Sequence, residues 1–227
     1  MKKNYTLKTL AAIAVSFMMI FSANSQTVLI HPAADGGFSN GPTFADNGWT
    51  VENGSVTNQW HLGTVPAVFP STSAYVSNDN GVTNSYTNNS ISVVHFYRDV
   101  TFPAGETSID LSFDWRSVGE ASFWDGIIVS LAPVSYTPTA SATSLNTGSL
   151  AAPAIEIGRA FNSTTVQTAN FVISPLLAGN CTGSSTMRLI FTWKNDGSGG
   201  TNPAAAIDNI TLISTIPSPS STAGPYT

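Results

Sequence analysis

The sequence predicts an all-β protein of two packed antiparallel sheets behind a removable leader. Only 9% of its 227 residues are charged, whereas surface helices are usually filled with Glu, Lys and Arg. Ser, Thr, Asn and Gly take their place, with many β-branched residues that suit a pleated surface. Beyond the leader no segment keeps a helical period over three turns, and period-two alternation recurs instead.

The leader comes first. Lys2, Lys3 and Lys8 form a basic start, Leu10 to Phe21 an apolar run, and Ala23-Asn24-Ser25 a set of small residues. This is the build of a secretory signal peptide over residues 1–25, with Gln26 as the mature start. The apolar run falls short of the roughly 18–20 residues that a membrane span needs. Loss of the three lysines leaves 5 basic against 13 acidic residues, a formal charge of −8. Such a surface argues against nucleic acid and anionic membranes as partners. It leaves room for cations, and it also serves simply to keep an exported protein soluble.

Residues 26–214 read as one β-domain, with 42% apolar residues in the whole chain to supply a core. The strands expected in chain order are Trp60–Leu62, Ala74–Ser77, Val93–Val100, Ile109–Arg116, Gly126–Leu131, Ala154–Gly158, Asn170–Ile173, Met187–Lys194 and Ile207–Ile213. Two of them alternate cleanly. Ile109, Leu111, Phe113 and Trp115 share one face, and so do Met187, Leu189, Phe191 and Trp193; each strand is expected to set one face on a core. Gly, Asn, Asp and Pro separate the strands, as turns require. Asn78 to Ser90 and Pro133 to Pro153 read as long loops, a class that is functional or mobile. Residues 215–227, rich in Pro and Ser, read as a linker or frayed tail.

The one cysteine, Cys181, forms no internal disulfide and reads as a small loop or core residue. His31, His61 and His95 form no H-E-x-x-H or other i, i+4 pair, and no G-x-S-x-G elbow occurs. His95, in a Val-rich strand, reads as a hydrogen-bonded structural histidine. Asp114, Glu120 and Asp125 lie close in sequence, and paired carboxylates can hydrolyse glycosides. The spacing is common by chance, so the chain is expected not to be an enzyme, and cation binding is the better use of such acids. Calcium takes several oxygens, mixing carboxylates with carbonyls. Oxygen-rich clusters stand at Asp35-Gly36-Gly37, Asp46-Asn47-Gly48, Asn195-Asp196-Gly197 and Asp208-Asn209. By simple alternation Asp208 shares a face with Ile210 and Leu212. If that face is the core, Asp208 needs a partner: a metal, a backbone N–H or an arginine. If the other face is the core, Asp208 is solvated. Of the five tryptophans, Trp124 in Ser122-Phe123-Trp124-Asp125-Gly126 has the loop context of a ligand-stacking platform; the others read as core. The Asn-x-Ser/Thr triplets at Asn53, Asn88, Asn162, Asn180 and Asn209 matter only in a eukaryotic secretory route.

Taken in order, Gly36–Phe38 (GGF), Asn47–Val51 (NGWTV), Ser73–Asp79 (SAYVSND), Tyr97–Gly105 (YRDVTFPAG), Leu111–Glu120 (LSFDWRSVGE), Asp125–Leu131 (DGIIVSL) and Arg188–Leu212 resemble the MAM-like, choice-of-anchor J or cleaved-adhesin type of domain. Such domains occur in exported multidomain proteins of the Bacteroidetes. The resemblance covers roughly residues 31 to 213. It implies a jelly-roll sandwich, a secreted or cell-surface location, and adhesion or carbohydrate binding, with an extracellular glycan or surface protein as partner. It also implies a structural Ca²⁺ between an early acid and the acid of the last strand. Asp208 matches the late position, and Asp35 or Asp46 would supply the early one, since Ser39 stands after Phe38 where relatives carry Glu. Asp125 completes the metal candidates, and Trp124 is the ligand-binding candidate.

Overall fold

The computed structural model describes residues 25–106, 108–173 and 185–216. The leader up to Asn24, Cys181 and the tail beyond Ile216 lie outside the described residues. The strands are β1 (Ser25–Ile30), β2 (Thr50–Glu52), β3 (Gln59–Gly63), β4 (Ser73–Ser77), β5 (Ser92–Thr101), β6 (Ser108–Ser117), β7 (Gly126–Pro133), β8 (Ile155–Ala160), β9 (Ser163–Ile173), β10 (Thr186–Asn195) and β11 (Ala206–Ile216). They form two antiparallel sheets packed as a jelly-roll sandwich. One has the order β3-β4-β11-β6-β9, with β1 also pairing β11; the other runs β2-β5-β10-β7-β8. The chain changes sheet at most connections, which is why sequence neighbours β5, β6 and β7 alternate between layers.

The inner faces meet in one aromatic core. Phe96 of β5 and Phe191 of β10 stack with centroids 4.9 Å apart. Phe113 of β6 meets Phe191 edge-on from the opposite sheet at 5.1 Å. Phe38, Phe44, Trp49 and Trp60 close around Phe96. β6 alternates buried and half-buried along its length, as its sequence demands.

β10 departs from its expected pattern. Ile190, Thr192 and Lys194, on the face away from the core, are also buried. The cause is the stretch read as a long loop, Pro133 to Pro153, whose part beyond β7 lies as a strap across the outer face of β5, β10, β7 and β8. The basic side chains of the face hold its carbonyls. Arg188 Nη1 donates to Tyr136 O at 2.7 Å, Arg159 Nη1 to Thr147 O at 3.0 Å, and Lys194 Nζ to Asn146 O. His95 Nε2 faces Thr139 O at 3.2 Å and Nδ1 faces Thr192 Oγ1 at 2.9 Å. A carbonyl only accepts, so Nε2 carries the proton and Nδ1 accepts from the hydroxyl. Ser141 bridges to Val93 in both directions. His95 is thus the structural histidine expected of it, and burial holds its imidazole down at about 4.

Other departures have local causes. β1 opens at Ser25, the last residue of the expected leader, and pairs with the end of β11, which runs to Ile216 and so takes in the first two residues read as tail. β9 starts seven residues before Asn170, because Thr164 to Thr168 are exposed on both faces and show no alternation.

Candidate functional site

Three acids from separate connections converge at one end of the sandwich. Glu120 follows β6, Asp125 precedes β7, and Asp196 follows β10. Each offers an oxygen, and these lie within 4.8 Å of one another. Asp125 is fully buried. Its Oδ2 accepts from Tyr86 Oη at 2.5 Å and its Oδ1 from the Asp196 N–H at 3.2 Å. Burial pushes Asp125 up to about 6, although those two donors pull the other way. Burial and the carboxylate beside it also push the Tyr86 phenol above its ordinary value. Glu120 Oε2 is buried with no hydrogen-bond partner.

The loop 196–200 closes over these acids, and its glycines explain how. Gly197, Gly199 and Gly200 all have positive φ, a region that side chains rarely adopt. A Cβ on Gly200 would stand 2.0 Å from Tyr86 Oη and 2.4 Å from Asp125 Oδ2. Lys194 is the nearby cation, but its Nζ donates to Phe123 O at 2.5 Å and Trp124 O at 2.8 Å as well as to the strap. Burial lowers it to about 8. Packed carboxylates of this kind need a proton or a cation to relieve them.

Of the four acids expected to bind metal, only Asp125 joins this cluster. Asp208 is buried but not on the core face. A bulge between Asp208 and Thr211, with Asn209 at φ 54, breaks the alternation. Ile207, Ile210 and Leu212 therefore all join the core, and Asp208 points the other way. There it accepts from Ser71 Oγ at 3.1 Å and from the Asn209 N–H at 2.8 Å. Burial raises its pKa. Asp35 accepts from the N–H groups of His31 and Gly36 and pairs with Arg98. Asp46 is exposed and caps the turn at Thr43, accepting from its N–H and hydroxyl. Donors engage both oxygens of Asp35 and Asp208 and Oδ2 of Asp46, and among the described residues no group of three His, Cys, Asp or Glu side chains includes Asp35, Asp46 or Asp208. Asp208→Ala is accordingly expected to lower stability by about 1–2 kcal/mol through lost hydrogen bonds, and by the same amount in EDTA and in Ca²⁺. A loss seen only in Ca²⁺ by thermal melting would restore Asp208 as a ligand.

Trp124 is half-buried, with its carbonyl held by Lys194. Its neighbour Phe123 is buried between the Arg159 guanidinium at 4.2 Å and Lys194 Nζ at 4.4 Å. Trp124 is therefore a fixed, partly open side chain rather than one on a free loop.

A separate groove opens where the sheets part at β2 and β3. It encloses about 540 Å³ and is lined by Pro42 to Ala45, Trp49 to Val51 and Trp60 to Leu62. Phe44, Trp49 and Trp60 are buried side chains in this lining, while Thr43, Ala45, Thr50 and Val51 are exposed. No Asp, Glu, Lys or Arg is among the lining residues. Its polar groups are hydroxyls, an imidazole and the backbone of two edge strands. Sequence reasoning reached Trp49 and Trp60 only as core candidates, because the groove depends on which strands end each sheet.

No protein-family model and no curated protein matches the sequence. Among solved structures, the chain is similar to a cyclase from Fischerella sp. TAU, with 13% identity, 86% of this chain and 100% of that one covered, and a TM-score of 0.49. It is similar to the enzymatically active domain of tailspike protein 4 of bacteriophage CBA120, with 15% identity and a TM-score of 0.46. That match covers 82% of this chain but only 22% of the tailspike chain. A family 11 carbohydrate-binding module from Clostridium thermocellum, in complex with a β-1,3-1,4-mixed-linked tetrasaccharide, matches at 14% identity over 84% of this chain and 96% of that one, with a TM-score of 0.40. At such identities and scores the likeness carries nothing about ligand or activity. Among the described residues no helix is long and apolar enough to cross a membrane.

Proposed function

We propose that this chain is an exported, non-catalytic sandwich module that binds an extracellular ligand in the groove between β2 and β3, and that the ligand is a neutral glycan. One observation carries the reading: in an acidic chain, a groove of about 540 Å³ is lined without a single Asp, Glu, Lys or Arg, the imidazole of His61 being its one titratable side chain. Hydroxyls and strand-edge amides around an apolar floor suit a saccharide, which presents hydroxyls at its edges and C–H groups on its faces. The reading as a non-enzyme is supported by the burial of Asp125 beneath the 196–200 loop, since a carboxyl without solvent access cannot meet a glycosidic oxygen. Secretion and the choice-of-anchor J resemblance belong to the same proposal, carried by the leader and by the motif order.

A surface protein is the second reading. β2 and β3 end their sheets, and unpaired strand edges accept extended peptides. The structural Ca²⁺ also enters here, moved from Asp208 to Glu120, Asp125 and Asp196, where a buried oxygen of Glu120 stands without a partner.

Binding of neutral oligosaccharides to residues 26–227 is tested by glycan array followed by calorimetry. The Val51→Arg/Ala45→Arg variant places two long cations in the groove at exposed positions. It is expected to lose at least about tenfold in affinity, or about 1.4 kcal/mol, with an unchanged melting point. An array with no neutral glycan bound, or binding that ignores the variant, would overturn the glycan reading. Retention of an extended peptide that the same variant abolishes would select the protein partner instead.

A further inference from the structure

We propose that β9 is a self-association edge, along which two copies of this chain pair antiparallel and join their sheets. β9 is 11 residues long, about 36 Å at the usual rise of a strand. It ends its sheet and, among the described residues, pairs only with β6. A sheet edge presents a row of unpaired N–H and C=O groups, and native edges are normally blunted by shortness, charge or proline.

Three of the other edges show such devices, while β1, which pairs only with β11, is uncharged like β9 but has only six residues. β2 is three residues long and carries Glu52. β3 has five residues, and Asn53 caps its Trp60 at both N–H and C=O. β8 carries Glu156 and Arg159. β9, Ser163 to Ile173, has no Asp, Glu, Lys, Arg or Pro, and side chains engage its backbone only near its start, Ser163 at Thr165 and Gln167 at Val166. A break in its register with β6 is confined to its first residues, and from Gln167 to Ile173 the pairing is regular.

Burial points the same way. A strand that lays one face on a core should alternate, as β6 does. In β9 the residues from Thr164 to Thr168 are exposed in succession, so this half of the strand stands clear on both faces, while Ala169, Phe171 and Ile173 anchor the other half to the core. Val166 and Val172 are among the exposed large apolar residues, Val172 at 66%. Thr164, Thr165, Val166 and Thr168 are β-branched, the type that suits a strand.

Charge identifies the occupant as a second copy. Two identical copies of residues 26–227, each with formal charge −8, repel, so an edge without charge is where they can approach closest. No residue between Arg159 and Arg188 is charged, which leaves β9 within a neutral stretch. A two-fold axis across β9 makes the pairing reciprocal, so an axis at Thr168 sets Val166 of each copy opposite Asn170 of the other.

Sedimentation velocity on residues 26–227 tests this. The wild type is expected to show a concentration-dependent monomer–dimer equilibrium at micromolar concentrations. Val166→Lys/Asn170→Lys and Val166→Glu/Asn170→Glu, both at exposed positions, are each expected to abolish the dimer while keeping the wild-type melting point. Loss with either sign of charge identifies edge pairing rather than general electrostatics. A wild type that stays monomeric throughout, or a dimer that persists in both folded variants, overturns the proposal. If a double variant fails to fold, Thr164→Lys alone supplies the same readout.

Discussion

Phe96→Ala is expected to destabilise the domain by about 3–5 kcal/mol, the range for removing a fully buried aromatic. Phe96 is wholly inaccessible and meets five rings: Phe38, Phe44, Trp49, Trp60 and Phe191. They come from the 31–49 region, β3 and β10, so the cavity would sit where three parts of the chain meet and could not collapse from one side. The chain has a single cysteine, so no internal disulfide compensates. Against a net stability of about 5–15 kcal/mol for a typical domain, such a loss is large. Urea unfolding monitored by tryptophan fluorescence measures it, with Val172→Ala, at an exposed position, as a control expected within about 0.5 kcal/mol of wild type. A Phe96→Ala cost below about 1 kcal/mol would mean that the aromatic cluster is not the centre of the core.

The second large effect concerns pH. Asp125 is held at about 6 in the fold, above its unfolded value near 3.9. Its protonated form is therefore the one the fold prefers. The contribution is fully present below about pH 4 and is lost as pH rises through 6, by up to about 3 kcal/mol. His95 acts in the opposite sense. Held at about 4 against about 6.5 unfolded, it stabilises above pH 6.5 and loses that contribution as pH falls toward 4. Asp125→Asn removes the first of these, so from pH 4 to 6.5 its stability should rise relative to that of the wild type in EDTA. Excess Ca²⁺ needs the ionised carboxylates, so it should raise the wild-type melting point at pH 7 and leave Asp125→Asn unmoved. Parallel pH profiles for the two proteins would remove Asp125 as the titrating group. An identical response to Ca²⁺ would remove the cation from the cluster.

Alternation made β6 legible from sequence because its two environments, core and solvent, differ sharply. It misplaced Asp208 because a one-residue bulge at Asn209 inverts the faces beyond it, and no residue type announces that bulge. The acidic cluster was half visible. Glu120 and Asp125 are near neighbours, but Asp196 is 71 residues from Asp125 and reaches it only through the pairing of β10 with β7. The glycines at 197, 199 and 200 were the available signal, since three in four residues mark a backbone that must pass close to something. Trp124 was legible as exposed in part, but the hold of Lys194 on its carbonyl was not.

The strap over β10 has a consequence for mutational tolerance. In a plain sandwich the outward residues of a central strand accept most polar exchanges. Here Ile190, Thr192 and Lys194 lie beneath a second layer, so both faces of β10 carry the constraint of an interior. Tolerance along this strand follows the path of the segment above it rather than the inside–outside rhythm of the sheet, and the most restricted positions of the domain include a threonine and a lysine.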